Sequence, residues 1–463
     1  MPAAFIGRSG DLPFNMEEKK IDKYVENCPY FMDFSMCRFL ILIQEFSGMA
    51  VIRPFRALRP LTKTAPVVSS VPYDVVNREE AKEFAEGNPL SFLRITRSEI
   101  DFDNSVNAYS PEVYARAKEN LENLRKDAPL QTDEKPHFYL YKLVMNGRPQ
   151  VGICATFSVD DYDNNVILKH EKTRKDKEDD RTNHIITTEA QTGVVFLTYR
   201  GVKSVNEVID DTMKNTVPVY DFASADGISH TVWLLPDEYN ELMVSEIAKV
   251  KNLYIADGHH RAASAGRSRK VKKDANPNHK GNEEYNYFIA VLFPAEQLKI
   301  LPYNRTVHDL NGLSKEEFLK SVGEKFTVEE TTVKEPTVKR SYGMFLDGQW
   351  YLLKPKDSVL AGIKLSKSVA DTLDVSVLQD FLLNPVLGID DPRTNKRIDF
   401  VGGIRGTKEL EKLVNSGKAA VAFSLYPVSV DDLMNISDAG EIMPPKSTWF
   451  EPKLRDGLLV HLI

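Results

Sequence analysis

One segment concentrates side chains that bind anions and move protons: Leu253-Tyr254-Ile255-Ala256-Asp257-Gly258-His259-His260-Arg261-Ala262-Ala263. Four apolar residues predict a short buried strand, Asp257-Gly258 a tight turn, and the alanine-containing run from His259 a helix. At such a corner the free N–H groups of the first helical turn, with the helix dipole, face any anion at the strand's carboxyl end. Gly258 lets the backbone come close, Arg261 offers a rigid fork of donors, and His259 and His260 offer neutral donors or acid/base capacity near neutral pH. Consecutive helical residues point about 100° apart, so the two histidines are poorly placed to chelate one metal together. The competing structural reading is a helix cap at Asp257, a packed histidine and an internal ion pair at Arg261.

Three further constellations carry similar chemistry. Lys169-His170-Glu171-Lys172-Thr173-Arg174, continuing to Asp179-Asp180-Arg181, follows the strand-like Val166-Ile167-Leu168, so Glu171 emerges at a strand end. A carboxylate there suits a general base or a magnesium ligand, with Arg181 and His184 near in sequence to complete the rim; a solvated charged face is the alternative. Pro72-Tyr73-Asp74 follows Val67-Val68-Ser69-Ser70-Val71, an expected strand whose carboxyl edge puts Asp74 where open α/β sheets hold ligands. The alternative reading is that Tyr73 simply packs and Asp74 makes a turn bond. Finally, Ile398 to Val401 predicts a strand entering the Gly402-Gly403 turn, with Arg405 beyond it and Thr407 capping a helix from Lys408. The segment lacks both the P-loop and the dinucleotide fingerprint, and its glycine pair also fits a bulge or close packing.

These residues must be positioned by surrounding elements. Asn77 with Glu80 forms a capping box for a helix ending near Gly87, and Ser91-Phe92-Leu93-Arg94-Ile95 reads as the next strand. Pro111 opens a helix with Tyr114, Ala117, Leu121 and Leu124 on one face, giving the order strand, helix, strand, helix. Asn146-Gly147 and Asp347-Gly348 each predict a hairpin turn. A helical run follows Ser204, and Ser268 to Glu284 reads as an exposed loop.

A chain of 463 residues exceeds one hydrophobic core, and 42% hydrophobic with 27% charged residues describes a folded globular protein. With 60 Lys+Arg against 67 Asp+Glu, the net charge of −7 gives no overall field for nucleic acid. Cys28, Cys37 and Cys154 are too few and scattered for a disulfide framework or a zinc pair, so a reducing cytoplasm is the expected compartment. Phe39 to Ile43 is too short to span a bilayer. Residues 1–48 hold no clean period, and Met49 reads either as the true start or as the end of a loosely ordered arm.

From Arg53 onward, PFRALRP, PYDVV with NPLSFLRITR, KHEKT with DDR, ADGHHR, DPRTNKRIDFVGGIRG and MPPKSTWFEPKLRDGLLVHLI together resemble the prokaryotic family named domain of unknown function 1015. The DGHHR element is similar to the loop of the ParB/sulfiredoxin-like superfamily, which includes partition nucleotide-binding proteins, sulfiredoxins and free-serine kinases. The resemblance implies a mixed α+β and α/β fold, with a ParB/sulfiredoxin-like nucleotide-binding core and large flanking α/β regions. The expected organisation is an extension over 1–48, an α/β region over 49–135, the core with KHE and DGHHR over 136–310, and a further α/β region over 311–463.

The resemblance also implies that Asp257, Gly258, His259, His260 and Arg261 grip nucleotide phosphates, while Glu171 takes the proton from a hydroxyl substrate. ATP or ADP and Mg²⁺ are the implied cofactors. The expected function is a phosphotransferase moving a phosphoryl group from a nucleotide to a small hydroxyl metabolite such as serine. Glu171, Asp257 and His260 are its catalytic candidates, and Gly258, His259, Arg261, Asp74, Arg181 and Arg405 its binding candidates. The alternatives are a nucleotide-binding ParB-like regulatory or DNA-partner protein, and a phosphohydrolase. A DNA reader needs a basic element, and Arg267 to Lys273 looks instead like the charge pattern of a helix end, so nucleic acid is not an expected partner.

Overall fold

Alternation along Tyr139–Met145 and Arg148–Ser158 sends Tyr139, Tyr141 and Cys154 into one core and Leu140, Ile153 and Phe157 into another. A strand pair with both faces apolar belongs in the middle of a covered sheet. Between the two strands, Asn146 and Gly147 adopt φ of 52° and 74°, the two left-handed positions of a type I′ turn. The computed structural model describes residues 49–127 and 130–463. The expectations for residues 1–48, including Cys28 and Cys37, lie outside the described residues.

That pair is central to a nine-stranded mixed sheet. Its order runs Ile167–Leu168, Leu253–Asp257, Val195–Tyr199, Tyr287–Pro294, Arg148–Ser158, Tyr139–Met145, Ser229–Leu234, Tyr220–Ala223, with Ile52–Arg53 also on Arg148–Ser158. Leu253–Asp257 runs parallel to Ile167–Leu168 and antiparallel to Val195–Tyr199. A six-stranded antiparallel sheet follows, ordered Phe326–Glu330, Gln349–Pro355, Tyr342–Leu346, Val421–Leu425, Tyr303–Val307, Ile398–Gly402. Its hairpin at Asp347 and Gly348, φ 47° and 79°, is again type I′. The architecture is therefore mixed α/β, as expected.

The last residues return to the first sheet region. Trp449–Phe450 pairs with Ile300–Leu301, and His461–Leu462 with Ala190–Gln191. Single bridges join Asp456 to Ser70 and Val460 to Leu58.

Several elements differ from expectation. Val67 to Val71 is not a strand: Ala65–Val68 is one helical turn and Tyr73–Val75 a 3-10 turn, bounded by Pro66 and Pro72. Ser91 to Ile95 leads into the helix Leu93–Thr96, burying Phe92, Leu93 and Ile95. Apolar runs this short carry no period that separates strand from helix. The capping box at Asn77 and Glu80 is present, and Pro111–Asp127 buries Tyr114, Ala117, Leu121 and Leu124. The expected loop from Ser268 is helix as far as Ala275, held by Arg269 on Asp160 and Asp163 and Arg267 on Glu178 and Asp179. Much of the charged stretch to Arg181 is likewise helical, within Lys175–Thr188. The late helix starts at Gly406, without a Thr407 cap.

Candidate active site

Gly258 has φ 94° at the junction of strand Leu253–Asp257 and helix His259–Ala275. A side chain is strained there, and an added Cβ would stand 3.1 Å from Cζ and Nε of Arg261. The glycine thus lets Arg261 fold back beneath its own turn. Its Nη1 donates to the Val194 carbonyl, and its Nη2 to Asp74 Oδ2 at 3.2 Å and Asp257 Oδ2 at 3.3 Å. Arg261 is only 7% exposed, so it braces the corner from within.

Parallel pairing of Ile167–Leu168 with Leu253–Tyr254 makes both chains leave the sheet at the same end. His170 and Glu171 therefore arrive beside His259. The His170 amide donates to His259 Nε2 at 3.4 Å, the two rings meet edge to face with centroids 4.4 Å apart, and His259 Nδ1 lies 4.0 Å from Glu171 Oε2. The Arg174 amide donates to His260 Nε2 at 3.0 Å. Each Nε2 accepts a hydrogen bond and so carries no proton, which makes the His259 and His260 imidazoles neutral. Burial agrees: it lowers His170 to about 4, His259 well below the usual histidine range, and His260 below it too. Burial also raises the Glu171 carboxyl, with Lys446 opposing.

Glu171, Asp257 and Asp74 are 31%, 30% and 37% exposed, so three carboxylates and the half-buried His260 face solvent around the buried His259 and Arg261. Burial alone would raise Asp257, but Lys453 and Arg261 outweigh it and hold the carboxylate ionised well below its ordinary range.

The C-terminal segment supplies residues that the sequence reading did not place here. Lys453 Nζ donates to Asp257 Oδ2, the Met443 amide donates to the His170 carbonyl at 2.8 Å, and Thr448 Oγ1 lies 3.4 Å from His170 Nε2. Asp456 is buried beside the corner, and burial, opposed by Arg261, lifts its carboxyl to about 7. The clue in the sequence was the density of Lys, Arg and Asp from Lys446 to Asp456.

The other candidates are spread around this centre. Arg181 pairs with Asp180 at 2.9 Å and lies 4.2 Å over the Tyr73 ring, while His184 Nε2 is 2.9 Å from the Ile95 carbonyl. With Arg261 they line a cavity on the inner side of the corner, away from Glu171 and His260. Arg405 pairs with Glu80 at 3.4 Å, half-exposed, and contacts none of the other candidates. The Gly402-Gly403 pair serves close packing: a Cβ on Gly402 would meet Trp449 at 2.7 Å, and one on Gly403 the Pro302 carbonyl at 2.6 Å.

Among the described residues no three His, Cys, Asp or Glu side chains are grouped to hold a metal ion. Asp74 and Asp257 already face Arg261, so the residues do not make a protein-built Mg²⁺ centre.

No helix among the described residues is long and apolar enough to cross a membrane. No curated protein matches the chain. Among solved structures, it is similar to a conserved hypothetical protein from Pyrococcus furiosus at 12% identity, over 67% of this chain and 95% of that one, with a TM-score of 0.32. SbnI with a C-terminal truncation, from Staphylococcus aureus, matches at 12% identity over 67% and 87%, TM-score 0.35. A free serine kinase in complex with AMP matches at 12% identity over 66% and 91%, TM-score 0.31. No function transfers from similarities of this size. The family model described as protein of unknown function, DUF1015, matches residues 52–376, and the chain belongs to that family.

Proposed function

We propose that the protein is a phosphotransferase that moves a phosphoryl group from ATP or ADP to a small hydroxyl-bearing metabolite, with residues 136–310 as its core. The observation that carries this reading is the convergence at one sheet edge of Glu171 with the Asp257–Arg261 corner. Phosphoryl transfer needs positioning and charge neutralisation more than covalent help from the protein. The N-terminal N–H groups of the 17-residue helix His259–Ala275 suit the phosphates. Arg261 fixes Asp74 and Asp257 around them.

Glu171 is the base in this reading. The acceptor hydroxyl loses its proton to Glu171 as its oxygen bonds to phosphorus, and the bond from phosphorus to the departing nucleotide oxygen breaks. A glutamate whose pKa is raised by burial is better matched to that task near neutral pH than an ordinary one. Asp257 is a weaker choice, because Lys453 and Arg261 hold its carboxylate. Neutral His259 directs its Nδ1 side toward Glu171 and orients it.

The test is purified protein with ATP or ADP, Mg²⁺ and a panel of small alcohols including serine. Transfer above a His260→Ala control supports the reading. Phosphate release without acceptor would make it a phosphohydrolase, and no turnover with any acceptor removes it.

A further inference from the structure

The loop from Met443 to Lys453 joins the two halves of the site, bonded to His170 at one end and to Asp257 at the other. Lys446 stands between these anchors. Its backbone has φ 56°, a conformation that lysine adopts rarely and asparagine or glycine readily. Its side chain is exposed and makes no hydrogen bond or ion pair among the described residues; Nζ lies 5.7 Å from the centre of the Tyr303 ring. Lys453, by contrast, is committed to Asp257 and the face of Trp449. Nothing in the packing calls for a lysine at position 446.

The loop is held by an unusual clamp. Arg305, on strand Tyr303–Val307 of the second sheet, is 4% exposed and has no carboxylate partner among the described residues. Its Nη1 donates to the carbonyls of Tyr303 and Lys446, the latter at 2.9 Å, and its Nη2 to the Pro445 carbonyl at 3.3 Å. A buried cation that is met by carbonyls and by the face of Phe400, 4.9 Å away, with no carboxylate to neutralise it, is costly to keep. Two of those carbonyls belong to the turn that presents Lys446.

We propose that Lys446 contacts the phosphoryl group in transit, and that Arg305 is the positioning residue that fixes its loop for this purpose. The proposal rests on the phosphotransferase reading above and adds a cation on the Glu171 side of the site. Electrostatics support the placement: partial desolvation in the crowded cleft would lower the Lys446 pKa, but Tyr303, Glu171, Asp74 and Asp257 raise it above its ordinary value. In turn Lys446 pulls Glu171 and His260 downward.

Calorimetric titration of AMP, ADP and ATP into the full chain tests this. Lys446→Asn removes the charge while suiting the left-handed backbone, so the fold is kept. It should weaken ADP or ATP binding by about 10- to 100-fold, as expected for a lost charge-assisted contact, and leave AMP within about twofold. Lys446→Arg should restore most of the loss. Arg305→Lys should give the same selective pattern, and the double variant should be no worse than Lys446→Asn alone, because the two act as one unit. An equal loss for AMP and the longer nucleotides, or no loss for any, overturns the role of Lys446. Additive losses in the double variant overturn the role of Arg305. If the unmodified protein binds neither ADP nor ATP, the phosphotransferase reading itself falls.

Discussion

Lys453 Nζ lies 3.2 Å from Asp257 Oδ2, across 196 positions of sequence. This bond ties the C-terminal segment to the turn that opens the helix His259–Ala275, and Arg261 donates to the same carboxylate oxygen. One carboxylate thus organises two cations from distant parts of the chain.

Replacing Lys453 with Met leaves Asp257 with Arg261 alone. Asp257 is 30% exposed, so the cost is reduced from that of a fully buried pair to about 1–2 kcal/mol. The expected result is a Tm lowered by about 1–3 °C in scanning calorimetry. An unchanged Tm would show that Arg261 satisfies the carboxylate by itself.

Glu171→Gln should reduce phosphoryl transfer by about 10²–10⁴-fold while changing nucleotide affinity little, since the residue acts on the acceptor proton. In the unmodified enzyme, activity should rise with pH through a midpoint above that of an ordinary glutamate, because burial raises the Glu171 pKa. Steady-state rates from pH 4 to 8 check both statements.

Gly258→Ala forces a side chain onto a backbone at φ 94° and against Arg261. We expect a loss of about 1–3 kcal/mol in denaturant unfolding together with lost activity. Gly402→Ala acts differently: its backbone is ordinary, but Cβ would press on Trp449 at 2.7 Å, and with it on the ring that carries Lys453. Stability should fall there through packing alone.

Five buried histidines set the acid limit of the fold. Burial lowers His170 and His184 to about 4 and His230 to about 3, takes His259 well below the usual histidine range, and lowers His461 against the opposing pull of Glu284. A depressed pKa contributes stability that is present above the unfolded value and lost as pH falls, so unfolding free energy should drop steadily from about pH 6.5 to about pH 4. Asp456 runs the other way. Its pKa of about 7 means that the stability of its protonated form is full below about pH 4 and is lost as pH rises through 7. Asp456→Asn should therefore be more stable than the unmodified protein at pH 8, by at most about 4 kcal/mol, with the gap closing toward pH 4. Urea titrations at these pH values measure it.

Local signals were the legible ones. Both type I′ hairpins, the Asn77 capping box and the strand-turn-helix at Gly258 rest on residues within a few positions of one another, and all are present. Val67 to Val71 and Ser91 to Ile95 misled because short apolar runs satisfy either helix or strand, and packing decided. Glu171 and the Asp257–Arg261 corner were both visible as motifs, but their meeting depends on a parallel pairing that spacing does not encode. Lys446, Lys453 and Asp456 were hidden for the same reason, since Thr448 reaches His170 across 278 positions. The inward turn of Arg261 was equally unreadable, because its partners Val194 and Asp74 are remote in sequence.

The placement of residues 442–463 constrains how the molecule comes into being. They leave the ribosome after every group they bind, so throughout synthesis Asp257 waits without Lys453, and the edges at Ile300–Leu301 and Ala190–Gln191 stay open. Until residues 442–463 thread home, the nascent protein carries unpaired edges of the kind that aggregate.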